Sequence, residues 1–119
     1  MEIIISIIGL GNVGKQVCSN LLAIKDHRLI INILDISDTI EGAVLDLQHA
    51  CELNVAHKIL LNNEALVSKS DFVFHCAGAS IPINSSRLDV VKGSVLITEE
   101  IFRSHQFNKD CKIIVVSNP

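Results

Sequence analysis

Ile3-Ile4-Ile5-Ser6-Ile7-Ile8-Gly9-Leu10-Gly11-Asn12-Val13-Gly14 is the stretch on which the fold turns. Ile3 to Ile8 is almost unbroken in β-branched apolar residues. That pattern suits a strand buried on both faces, as in a parallel sheet. The glycine run that follows has the G-x-G-x-x-G spacing, and a helical pattern begins directly behind it. In a strand–turn–helix setting each glycine has a physical task. Gly9 permits the tight turn, Gly11 lets a pyrophosphate approach the backbone, and Gly14 allows the helix to pack closely on the strand. The N–H groups of Asn12, Val13 and Gly14 open the helix, where its dipole favours negative charge.

Outward from that stretch the period alternates. Val13, Val17, Leu21 and Ile24 mark a helical stripe that Lys25-Asp26-His27 closes. Leu29 to Leu34 reads as a second buried strand. It ends at Asp35, about 20 residues beyond the last glycine, where an acid accepts hydrogen bonds from a ribose and repels a 2′-phosphate. NAD is therefore expected rather than NADP. A cap on the following turn is the plainer task open to Asp35. Ser37 or Asp38 can cap a helix running to about Cys51, with Glu41 placed for a capping box and Ile40, Val44, Leu47 and Cys51 as its apolar stripe. Asp46 and His49 are neighbours on that helix. A local ion pair or a subunit contact is the simpler reading of them, ahead of a metal or catalytic pair.

Lys58 to Leu61 reads as a short third strand, 64–70 as a short helix or turn, and Asp71 to Ala77 as the fourth strand. Within that strand His75 is expected as a satisfied core histidine. Ala77-Gly78-Ala79 is small enough for a cofactor to lie across the strand end. A loop spans Ser80 to Arg87. The longest helix runs from Leu88 to about His105, with Val91, Val95, Thr98 and Phe102 as its stripe. The interior glycine at 93, unfavourable in a helix, has no explanation in the sequence. Lys112 to Val116 is the fifth strand. The order β-α-β-α-β-β-α-β predicts an α/β fold with a doubly wound parallel sheet, strands in the order 3-2-1-4-5 and a sixth strand missing. Gly9 to Gly14, Asp35, Gly78, the 80–87 loop and Asn118 then share one sheet edge.

Composition narrows the partners. The 119 residues suit one domain, and 49% are apolar. Net charge is −3, the pI is about 5.9 and 3% of residues are aromatic, none of which suggests nucleic acid. No apolar run is long enough for a membrane span. Cys18, Cys51, Cys76 and Cys111 have no metal-ligand spacing and read as reduced, mostly buried thiols. No signal peptide is evident, and a cytoplasmic protein is expected.

Ile8 to Gly14, the strand ending at Asp35, Asp46-Leu47-Gln48-His49 and Cys76-Ala77-Gly78-Ala79 resemble the amino-terminal domain of lactate and malate dehydrogenases. So do Ser86-Arg87-Leu88-Asp89 and Val115-Val116-Ser117-Asn118-Pro119. The resemblance implies a Rossmann domain over 1–119 that holds NAD through Gly9, Gly11, Asn12, Val13, Gly14, Asp35, Ala77, Gly78, Ala79 and Asn118. It implies hydride transfer between nicotinamide and a 2-hydroxy or 2-oxo acid, and a homo-oligomer at full length. Arg87 falls where the family keeps an arginine on a closing loop. It would polarise the substrate carbonyl as its oxygen gains negative charge. Asn118 would contact the substrate oxygen and the nicotinamide side.

Three positions depart from the pattern. Ile81 stands where lactate dehydrogenases usually have glutamine and malate dehydrogenases arginine. A dicarboxylate finds no charge partner there, so a monocarboxylate with an apolar tail is expected. Asn84 replaces a loop glycine, and Ser94 replaces a common asparagine. His49, His57, His75 and His105 do not match the family's proton-transfer histidine, so the chain reads as a truncated, cofactor-binding half that is inactive alone. Plain malate dehydrogenase and a stand-alone NAD sensor are the alternatives. A sensor needs neither Arg87 nor Asn118.

Overall fold

The computed structural model describes residues 2–37, 39–52, 56–79, 84 and 86–117. It places five parallel strands in one sheet of order β3-β2-β1-β4-β5. These are β1 (Glu2–Ile8), β2 (Arg28–Leu34), β3 (Lys58–Leu61), β4 (Phe72–His75) and β5 (Lys112–Val115). The helices between them are α1 (Asn12–Leu22), α2 (Ile40–Glu52), α3 (Glu64–Val67) and α4 (Arg87–Ser104). The doubly wound topology and the expected strand order are both present.

The sheet separates two cores, because successive side chains of a strand point to opposite faces. On one face Ile5, Ile7, Leu29, Ile31, Ile33 and Ile59 meet Leu10, Cys18, Ile40, Val44 and Cys51. On the other, Ile8, Leu34 and Val73 meet Val67 and Ile101, with Ile97 and Phe107 packed against them. The second face also carries a buried polar group in the middle of the sheet. The Asn32 amide donates to the Asn63 carbonyl at 2.8 Å and accepts from the Asn63 N–H at 3.1 Å. Its neighbour Ser6 bonds Ser70 at 2.7 Å, and Ser70 donates to the Leu66 carbonyl at 2.8 Å. These bonds tie the short α3 turn to the sheet.

Several element boundaries differ from expectation. α1 stops at Leu22 rather than at Lys25-His27, and Val13 and Ile24 are exposed. The deepest residues of α1 are Gly14 and Cys18. α3 ends at Val67, and β4 covers only Phe72–His75. Ser37 Oγ accepts from the Thr39 amide ahead of α2, while Asp38, the other expected cap and the one at capping-box spacing from Glu41, lies outside the described residues. The main correction is the face of α4. Val95 and Phe102 are exposed, whereas Val90, Ser94 and Ile101 are buried. β5 is an edge strand with Ile113, Ile114 and Val115 exposed.

His75 also differs from its reading. It is fully buried, and Nε2 lies 2.8 Å from Thr98 Oγ1, but Nδ1 has no partner among the described residues. Burial pushes its pKa below the usual histidine value. All four cysteines are free, Cys18 and Cys51 buried, Cys76 and Cys111 half-buried. Burial raises the Cys18 pKa to about 11, with the nearby Cys51 adding to the effect. These thiols are inert packing groups rather than nucleophiles.

Candidate cofactor site

The carboxyl ends of β1, β2 and β4 open onto one cavity of about 820 Å³. Gly9 turns the chain out of β1 with φ +92°, and a Cβ there would come within 2.7 Å of the Ala77 backbone. Only glycine combines that backbone with that proximity. Gly14 seats α1 against the turn, where a Cβ would run into the Gly9 carbonyl oxygen. Gly11, by contrast, faces open space. It caps α1 without a side-chain hydrogen bond, and the first turn carries no acidic residue. The leading N–H groups of that helix are thus left to an anion.

Asp35 organises this edge. Its Oδ2 accepts the Leu10 amide at 2.7 Å, and Oδ1 accepts the Ser37 amide at 2.8 Å. Its own N–H donates to Asn62 Oδ1 at 2.9 Å. The carboxylate therefore both ties down the glycine turn and caps the turn after β2. Each oxygen keeps a free lone pair for a ribose hydroxyl. Asn62 has a left-handed backbone, φ 52°, and hydrogen-bonds the β2 end through its N–H as well.

The cavity brings together Gly9, Gly11, Asp35, Ala77 and Gly78 of the expected set. Asn12 and Val13 open α1 beside it, and Gly14 lies behind. Ala79 turns away to α4, donating its N–H to Ser94 Oγ at 3.2 Å. Arg87 is the first residue of α4, exposed and off the cavity lining. Its turn is held by a capping box between Ser86 and Asp89. Ile81 and Asn118 lie outside the described residues. Asn84 has φ 70°, so it does adopt the conformation a loop glycine would. Asp46 and His49 are both exposed and form no ion pair with each other among the described residues.

Sequence reading missed one wall. Leu96, Ile97, Glu100, Ile101 and Ser104 of α4 line the same cavity as Asp35. Ile36 and Asn62 add to the Asp35 side. At the far end, His105 Nδ1 lies 3.0 Å from the Glu64 carboxylate. The signal for that wall was the spacing of Val90, Ser94, Ile97 and Ile101, a helical repeat concealed by its serine. The nearby Cys76 thiol has its pKa raised by burial and stays protonated.

The uncapped helix end, the open space at Gly11, the fixed carboxylate and the long, largely apolar cavity together fit a dinucleotide. No group of three or more metal-ligating side chains occurs among the described residues. No helix among them is long and apolar enough to cross a membrane. Residues 3–119 match the family model described as lactate/malate dehydrogenase, NAD binding domain. The L-lactate dehydrogenase of Pseudothermotoga lettingae is 37% identical over 118 residues, which is 97% of this chain and 37% of that protein. The malate dehydrogenase of Cryptosporidium parvum superposes with TM-score 0.77 at 29% identity, covering 100% of this chain and 38% of the other. The fold is also that of the Archaeoglobus fulgidus malate dehydrogenase in complex with NADH. There the TM-score is 0.79 at 24% identity, over 98% of this chain and 41% of that one. The chain spans little more than a third of the length of these relatives.

Proposed function

The chain belongs to the family of NAD-binding domains of lactate/malate dehydrogenases, and on that premise we propose that it is the cofactor-binding half of a 2-hydroxy-acid dehydrogenase of the L-lactate type. One observation carries the reading: the glycine turn, Asp35 and Ala77-Gly78 converge on a single cavity beside an uncapped helix end. NAD supplies hydride exchange at its nicotinamide when bound. The residues of this chain bind and orient it. Leading amides of α1 hold the phosphates, Asp35 takes the ribose hydroxyls, and the Ile97–Ile101 wall covers apolar cofactor surface. Asn118 is assigned to the nicotinamide and substrate oxygen.

Arg87 is assigned to the substrate. A guanidinium at the head of a capped helix can stabilise a carbonyl oxygen as it gains charge, and closure of the preceding loop would exclude water. Ile81 supports a monocarboxylate with an apolar tail over malate or oxaloacetate, since a buried second carboxylate would lack a partner. The proton-transfer histidine is assigned to a second domain, and the complete protein to a cytoplasmic homo-oligomer.

The test is a panel of pyruvate, oxaloacetate and branched 2-oxo acids with NADH on the complete protein. The expected order places monocarboxylates first, and Ile81→Arg shifts kcat/KM towards oxaloacetate. Unchanged ratios across the panel would overturn the specificity assignment. Absence of turnover with every member would overturn the dehydrogenase reading.

A further inference from the structure

We propose that Gly93 and Ser94 are positioning residues: they seat the middle of α4 on Ala79 and so set the cofactor-facing strand end and Arg87 relative to one another. The link to Arg87 rests on the dehydrogenase reading above. The seat itself rests on two contacts. A Cβ built at Gly93 would lie 2.9 Å from the Ala79 Cβ. The missing methyl is thus the reason helix and strand end come so close. The adjacent Ser94 is buried, and its Oγ accepts the Ala79 N–H at 3.2 Å.

A second pin lies one turn along the helix, where Thr98 Oγ1 meets His75 Nε2 at 2.8 Å. α4 is therefore held at two places along the segment from His75 to Ala79. Ala77 and Gly78, between the pins, line the cofactor cavity. Arg87 begins the same helix, about 9 Å along the axis from Gly93 at 1.5 Å per residue. In a rigid helix, lifting the seat by a methyl moves Arg87 and displaces the 77–79 segment together. Misplacement of a reacting group by about 1 Å can lower a rate on the order of a hundredfold.

The experiment compares Gly93→Ala, Ser94→Ala and the double variant Gly93→Ala/Ala79→Gly in the complete protein. The double variant moves the methyl from one side of the contact to the other. NADH dissociation constants, kcat and KM for the best 2-oxo acid, and Tm are measured on each. Gly93→Ala is expected to weaken NADH binding severalfold and to lower kcat by about tenfold or more. The double variant should recover most of both, and Ser94→Ala should weaken NADH binding while leaving the packing volume intact. Three results overturn the proposal: a Gly93→Ala protein with lowered Tm but unchanged NADH affinity and kcat, a double variant that recovers nothing, or unchanged NADH affinity in Ser94→Ala. If Gly93→Ala does not fold, Ser94→Ala decides. If the parent protein turns over no 2-oxo acid, the dehydrogenase reading fails, and NADH affinity alone still decides the seat.

Discussion

Asp35 accepts two backbone N–H groups with its two carboxylate oxygens and is held by a third bond from its own amide. A residue expected to meet a ribose or to cap the turn after β2 thus also closes the glycine turn. Asp35→Ala removes both tasks, whereas Asp35→Asn keeps an acceptor for one backbone amide and loses the charge. Hydrogen bonds to charged groups contribute about 1.5–3 kcal/mol. Asp35→Ala should therefore weaken NAD binding on the order of tenfold or more and relax discrimination against NADP. Calorimetric titration with both cofactors checks this, and an unchanged NAD/NADP ratio would remove the ribose role. His75, besides pinning α4 through Thr98, bears on stability. Its folded pKa is lowered by burial, so the native imidazole stays neutral while the unfolded chain takes up a proton below about pH 6.5. More protons are then bound in the unfolded state, and stability falls as pH drops below that value. Urea denaturation from pH 7.5 to 5 should show the decline, at most about 1.4 kcal/mol per pH unit from this group. His75→Gln should flatten it.

At the scale of elements, the strands and α2 were legible because their apolar residues are continuous or strictly periodic. α4 was not. Its inward face includes the polar Ser94, whereas the more apolar row of Val95 and Phe102 is exposed. Gly93 could not be understood from local sequence, because its partner Ala79 belongs to another element. The cavity's α4 wall was lost with that face. The glycine turn and Asp35 were legible because strand, turn and helix periods frame them. The head of α4 carries a separate dependence. Its Ser86–Asp89 capping box satisfies backbone donors that would otherwise be unpaired. Ser86→Ala should lower stability by about 1 kcal/mol, read from the urea midpoint. Because Arg87 follows directly, the same change should raise KM for the 2-oxo acid more than KM for NADH.

At the scale of the whole molecule, β1 and β2 run side by side with isoleucine or leucine at nearly every position. Both faces are buried, so hydrophobic patterning cannot distinguish the native pairing from one displaced along the strands. Ser6 stands directly opposite Asn32, and displacement in either direction would set Asn32 against isoleucine, away from Asn63. An unpaired buried polar group costs about 1–3 kcal/mol. The polar pair therefore works as an alignment mark in an otherwise degenerate ladder. Replacing both residues, Ser6→Ala with Asn32→Leu, should yield a chain that still collapses and keeps its far-ultraviolet spectrum. Its amide NMR spectrum should show more resonances than residues, and its urea transition should broaden. A single set of sharp resonances would show that the helices alone choose the pairing. On this view the least hydrophobic spot in the sheet determines which of several equally oily arrangements becomes the one with a cofactor cleft at its end.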